Sequence, residues 1–111
     1  MGYEKEAGQG ITPNKGQGLI VAIKFDPGQL VATRGALEAF VASGESPYTY
    51  LLRHVAGDWG EIDPDDVAEN EFSLQHGFRL LSSYRLNTGV TVWCITEADR
   101  SVTTFLLPEE Y

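Results

Sequence analysis

One imidazole and one hydroxyl-rich turn hold the side chains of this sequence best suited to chemistry. His54 lies in Arg53-His54-Val55-Ala56-Gly57-Asp58-Trp59-Gly60, near the end of a helical stretch, and Asp58 follows it four residues on. A carboxylate at that spacing orients an imidazole and raises its pKa, the pairing a general base needs. The structural alternative is a His placed where a helix C-terminus favours its positive form. Trp59, between two glycines, reads as a plug that pins a loop to the core.

The second place is Thr96-Glu97-Ala98-Asp99-Arg100-Ser101, a turn between two apolar runs. A turn needs only Gly or Asn. This one has two carboxylates and a guanidinium, with hydroxyls from Thr96, Ser101, Thr103 and Thr104 around them. As structure, Glu97 and Arg100 form a salt bridge across the hairpin, worth at most about 1 kcal/mol if exposed. As chemistry, Arg100 binds an anion, Glu97 or Asp99 exchanges a proton, and Thr103 or Thr104 donates hydrogen bonds. Together His54, Glu97, Arg100 and Thr103 would suit metal-independent phosphodiester cleavage, in which one group takes a proton and an Arg stabilises the developing charge.

Other chemistries lack their motifs. His54 and His76 have neither HxxxH nor Cys-x-x-Cys spacing around them, so no metal site is expected. Asp63, Asp65 and Asp66 lack the Gly and final Glu of a Ca²⁺ loop. GQGITPNKGQG contains Lys15 but not the strand–GxxxxGK[ST]–helix context of a phosphate loop. There is no Gly-x-Ser-x-Gly elbow, and no cofactor is implied.

Charge speaks more clearly. The 111 residues have 16 acids against 8 Lys and Arg, a net charge of −8. That weighs against direct nucleic-acid binding, which needs clustered cations. No Lys or Arg occurs between Arg53 and Arg79, and this gap holds Asp58, Glu61, Asp63, Asp65, Asp66, Glu69 and Glu71. The plain reading is a solvated helix start with acids favoured by the helix dipole. The functional reading is an acidic docking surface for a protein partner with a basic surface.

The elements that must position these groups follow from local signals. Residues 1–18, with five of the twelve glycines, read as a flexible tail, and 19–111 as one domain. Leu19–Asp26 reads as a mostly buried strand before a Pro27-Gly28 turn. Thr33 caps a helix over Arg34–Ser43 with Leu37, Phe40 and Val41 as its apolar stripe. Ser46-Pro47 opens a second helix with the stripe Tyr48, Leu51, Leu52 and Val55, stopped by Gly57. Asp63-Pro64 opens a third, running to about His76, with Val67, Leu74 and Phe78 inward. The period then switches to two. Arg79–Leu86, Val90–Glu97 and Ser101–Leu107 form an antiparallel meander through an Asn87-Thr88-Gly89 loop.

Alternation sorts this meander into two faces. Leu80, Ser82, Tyr84, Leu86, Val90, Val92, Cys94, Thr96, Val102, Thr104 and Leu106 face the helices. Arg79, Leu81, Ser83, Arg85, Thr91, Trp93, Ile95, Glu97, Ser101, Thr103 and Phe105 make a mixed outer face. An outer face with aromatics beside Arg79 and Arg85 is either a binding surface or is covered by the N-terminal segment. The expected architecture is a single α+β domain with its helices on one face.

RHVAGDWG (53–60), Arg79-Leu80-Leu81-Ser82-Ser83-Tyr84, and WCITEADRSVTTFLLPEEY (93–111) resemble a group of small bacterial proteins labelled plasmid-related or hypothetical, some with a restriction-system label. The likeness covers roughly residues 30–111. It implies a bacterial, mobile-element setting and no particular activity. A fold-level likeness to RelE- and ParE-type toxins rests on helices preceding an antiparallel C-terminal sheet, but those RNases tend to be basic. No apolar run approaches the ~20 residues of a membrane span, there is no signal-peptide core, and Glu6 departs from a myristoylation motif. The single Cys94, inside an apolar strand, reads as a buried hydrophobe. A cytoplasmic protein is expected. Two functions are carried forward: a small acidic protein-binding module docking on a basic, nucleic-acid-binding host defence protein, through Asp58, Trp59, Glu61, Asp63, Asp65, Asp66, Glu69, Arg79, Arg85 and Trp93; or an RNase-like enzyme using His54, Arg100, Thr103 and Glu97.

Overall fold

Each helix starts on the cap its sequence supplies. The computed structural model describes residues 22–111. Thr33 Oγ1 accepts from Ala36 N at 3.1 Å and opens α1 (Arg34–Ser43). Ser46 Oγ accepts from Tyr48 N at 3.1 Å ahead of α2 (Pro47–Val55). Asp63 Oδ1 accepts from Asp66 N at 3.0 Å ahead of α3 (Pro64–His76). Gly44 and Gly77 close α1 and α3 in the left-handed conformation, at φ 71° and 74°. Among the described residues no helix is long and apolar enough to cross a membrane.

The strands form one sheet in the order β1-β4-β3-β2, with β1 at Gln29–Ala32, β2 at Leu80–Arg85, β3 at Thr91–Thr96 and β4 at Val102–Leu106. The antiparallel β2-β3-β4 meander is as expected, and β1 adds to its edge parallel to β4. The domain is therefore α+β, but its first strand lies after the Pro27-Gly28 turn, not before it. Residues 19–21 of the expected strand fall outside the described residues. Residues 22–26 make no sheet pairing and bend at Phe25, and Lys24 N instead donates to Val55 O at 2.8 Å. Gly28 sets where pairing begins. A Cβ there would stand 2.3 Å from Ser101 O, so only Gly lets the chain come this close to the β3–β4 turn and enter the sheet.

The face assignment holds for β2 and β3 and is overturned for β4. The sequence implies a three-residue turn between Glu97 and Ser101. In the structure Glu97 N donates to Val102 O at 3.0 Å, and Ala98–Ser101 make a four-residue turn with Arg100 left-handed at φ 62°. A slip of one residue sends every β4 side chain to the opposite face. Thr103 and Phe105 thus point inward, opposite Thr96 and Cys94, while Val102, Thr104 and Leu106 turn outward. Phe105 becomes fully buried and meets Phe40 edge-on at 5.3 Å. Burying a Phe contributes on the order of 2–3 kcal/mol, which favours this register.

Helix faces depart from their stripes as well. α1 buries Ala36, Ala39 and Phe40, while Leu37 is exposed and Val41 is 82% exposed. The two alanines allow the helix to approach the sheet closely, so the larger side chains beside them are left outside. α2 buries Tyr50, His54 and Val55 and leaves Tyr48 and Leu52 out. α3 buries two polar residues, Asn70 and Ser73, rather than Val67 and Phe78. The core gathers Ala36, Ala39, Phe40, Tyr50, Tyr84, Leu86, Val92, Cys94 and Phe105.

Burying Asn70 has a clear physical return. Its amide donates to Leu81 O at 2.7 Å and accepts from Leu81 N at 3.1 Å, so it pairs with the outer edge of β2 as a strand would. Two residues on, Ser83 N donates to Trp59 O at 3.0 Å and Glu61 N donates to Ser83 O at 2.7 Å. Gly60 permits this approach, because a Cβ there would lie 2.1 Å from Ser83 O. The β2 edge is thereby blocked against pairing with another chain. Asn70→Leu leaves a buried N–H and C=O unpaired and should cost about 2 kcal/mol in urea unfolding. The amide of Leu81 should exchange faster than in the parent; unchanged exchange would contradict the pairing.

Candidate functional site

α2 carries His54 into the core at the C-terminal end of its buried stripe. The ring is fully buried, edge-on to Phe25 at 5.2 Å and to Trp59 at 5.7 Å. Trp59 is the plug the sequence suggests. Asp58 does not orient the imidazole: its carboxylate takes Arg53 Nε at 2.7 Å and Gly60 N at 3.2 Å, and Arg53 holds it below the usual carboxylate range. The imidazole pairs with hydroxyls instead, Nδ1 with Ser82 Oγ at 2.6 Å and Nε2 with Thr96 Oγ1 at 2.9 Å. Thr96 Oγ1 lies 2.7 Å from Thr103 Oγ1, and Thr103 Oγ1 donates to Pro27 O at 2.6 Å.

This chain of bonds fixes the proton order. The carbonyl of Pro27 can only accept, so Thr103 spends its proton there. Thr103 must then accept from Thr96, and Thr96 from His54 Nε2–H. That leaves Nδ1 as the acceptor for Ser82 Oγ–H. The arrangement demands a neutral imidazole with its proton on Nε2. Burial, and secondly the charge of Arg100, push the His54 pKa down from 6.5 to about 4, in agreement.

Arg100 is equally committed. Nη1 donates to Phe78 O at 2.7 Å, Glu97 O at 3.1 Å and Ala98 O at 3.2 Å, and Nη2 donates to Ser73 O at 3.0 Å. The guanidinium therefore closes its own turn and caps the carbonyls at the end of α3. The expected Glu97–Arg100 bridge is absent from these contacts. Glu97 lies on the outer face, with Oε1 3.7 Å from Arg79 Nε. The structure brings His54 and Thr103 into one buried network and places Arg100 behind Phe25, 5.7 Å from that ring. It keeps Glu97 on the other side of the sheet. Among the described residues the set His54, Glu97, Arg100 and Thr103 shares no cleft, and both imidazole nitrogens are taken up by hydroxyls.

The outer face holds Arg79 and Trp93 beside a pocket of about 310 Å³, lined also by Leu80, Leu81, Ile95 and Tyr111. Tyr111 covers Trp93 edge-on at 5.6 Å, and its hydroxyl accepts from Arg79 Nη1 at 3.2 Å. Phe105, expected here, lies in the core. Arg85, farther along β2, is paired with Glu61 at 2.9 Å.

The acidic run divides by role. Asp58 is paired with Arg53, Glu61 with Arg85, Asp63 caps α3, and Glu71 accepts from Trp59 Nε1 at 3.1 Å. Asp65, Asp66 and Glu69 are exposed on α3, and their carboxylates make no hydrogen bond or ion pair among the described residues. Alternation turns Ser82 toward the helices, but its pairing with His54 and the burial of Asn70 leave no mark in the sequence. Their partners are distant in the chain, and an Asn in a helix carries no sign of burial. No protein-family model matches the chain, and neither a curated protein nor a solved structure matches it.

Two outcomes test this geometry. Between pH 6.5 and about 4 the unfolded chain takes up a His54 proton that the folded chain refuses. Stability therefore falls as pH falls through that window, by about 3 kcal/mol. His54→Met, which cannot charge, should be less stable at pH 7 yet show a flatter urea midpoint across the window; equal slopes would contradict a buried neutral imidazole. Arg100→Ala should lose about 2 kcal/mol. Arg100→Lys should recover little of it, since an ammonium cannot span carbonyls on two elements; full recovery by Lys would contradict the capping role.

Proposed function

We propose that the protein is a small acidic binding module that docks on a partner with a basic surface through the solvent face of α3. The observation that supports this most is the division of the acids. Four of them are engaged inside the domain's own structure, while Asp65, Asp66 and Glu69 stand together on one helix without a cation among the described residues. Carboxylates in the first turns of a helix are stabilised by its dipole, so they cost the fold little. A local negative field of this kind speeds encounter with a basic partner and makes it sensitive to salt. The likeness to plasmid-related bacterial proteins extends the proposal to a natural partner: a nucleic-acid-binding protein of a host defence system, whose basic groove would meet these acids.

Asp63 takes no part in the test, because reversing it would remove the α3 cap. Asp65→Lys/Glu69→Lys should weaken binding to a lysine homopolymer by about tenfold at low salt. Glu38→Lys/Glu109→Lys changes net charge equally, on exposed residues elsewhere, and should weaken it far less. Equal losses in the two variants would mean bulk charge alone is at work and would overturn the proposal.

A further inference from the structure

α3 carries more than acids on its outer surface. Asp65, Glu69, Phe72 and His76 recur at i, i+4, i+7 and i+11, so they form one stripe along the helix, and all four are exposed. Phe72 stacks on His76 with ring centroids 4.2 Å apart, and Phe78 stacks on Phe72 at 5.9 Å with the planes 6° from parallel. Phe72 and Phe78 are each 53% exposed. Single exposed apolar residues are ordinary, but three stacked rings held in the open are not.

The stack is held by the backbone behind it. Gly77, left-handed at φ 74°, reverses the chain so that Phe78 folds back over the helix. Phe78 N donates to Ser73 O at 3.3 Å, and Phe78 O accepts from Arg100 Nη1 at 2.7 Å. The same guanidinium holds Ser73 O, so the β3–β4 turn sets the position of the outermost ring. Rings ordered before binding lose little entropy on contact, which is what an interface hot spot requires.

We infer that the Phe72–Phe78–His76 stack is the apolar anchor of the partner site, and that the partner presents an aliphatic side chain flanked by Lys or Arg. This rests on the docking function proposed above. Charge complementarity selects that occupant: the stripe leads from two carboxylates to the stack, so a basic segment lying along α3 meets the acids and sets its apolar residue on the rings. The faces of Phe72 and Phe78 also attract a guanidinium or ammonium. Stacked rings can receive nucleic-acid bases too, but Asp65 and Glu69 on the same stripe repel phosphate.

The test uses two synthetic peptides of equal length and charge, one an amphipathic Lys/Leu helix and one Lys/Ser, titrated calorimetrically into the full chain. The Lys/Leu peptide should bind about tenfold tighter. Phe72→Ser/Phe78→Ser should erase that advantage while leaving Lys/Ser binding as it was. Leu37→Ser/Val41→Ser, on the exposed side of α1, should keep the advantage. If the double Phe variant loses its fold, the ring resonances of Phe72 and Phe78 in the parent give the same readout, shifting with Lys/Leu and not with Lys/Ser. Equal binding of the two peptides, survival of the advantage without the rings, or tighter binding of oligothymidylate than of Lys/Leu would overturn the anchor. In the first two cases loss of Lys/Ser binding in Asp65→Lys/Glu69→Lys would still uphold the docking surface. Binding of neither peptide would overturn both.

Discussion

A fully buried imidazole between two hydroxyls is the constraint on which the rest of this domain depends. His54 joins α2 to β2 through Ser82 and to β3 through Thr96, and the chain continues through Thr103 on β4 to the carbonyl of Pro27, ahead of β1. An unpaired polar group at any of these points would cost on the order of 1–3 kcal/mol, so the members hold one another in place. Because every proton in the chain has one destination, the network admits one tautomer and one charge state. Phe25 and Trp59 close it from water with apolar surface, which favours the neutral ring and makes each bond count for more.

From that interior constraint the outer surface follows. Thr103 can reach Thr96 only in the register that also buries Phe105, and that register requires the four-residue turn with Arg100 left-handed. Left-handed backbone is costly for an Arg, and the guanidinium offsets the cost through its bonds to four carbonyls. Two of those, Ser73 O in the last turn of α3 and Phe78 O just past its Gly77 cap, flank the end of that helix. The hairpin turn thereby determines how α3 ends and where Phe78 stands. Polar groups that look catalytic in the sequence hold the fold together, and the acids of α3 with the rings at its C-terminal end are the groups proposed to meet a partner.

What could be read from the sequence was local. Thr33, Ser46 and Asp63 announce their helices because a cap and its helix lie within a few residues, and the switch to a period of two announces the meander. The β4 register was not readable, because a left-handed Arg leaves no mark of the kind a Gly does, and one residue of turn length reverses a whole strand. The helix stripes misled for a related reason. Leu37, Val41, Tyr48 and Leu52 make the stronger pattern, but the sheet packs against Ala36 and Ala39, whose small size is what permits contact. The candidate site was half legible. The acidic run was visible as composition and Asp63 as a cap from its place before Pro64, whereas Asp58 as the partner of Arg53 and Ser82 as the partner of His54 depend on contacts that spacing does not encode.

The claim that His54 is a structural keystone has a direct measurement. Imidazole nitrogen chemical shifts of the full chain, followed by NMR from neutral pH downward, report its tautomer and charge. The ring is expected to be neutral with its proton on Nε2 and to hold that state until close to pH 4. A ring that titrates near 6.5, or one with its proton on Nδ1, would contradict the order of the network and the fold built around it.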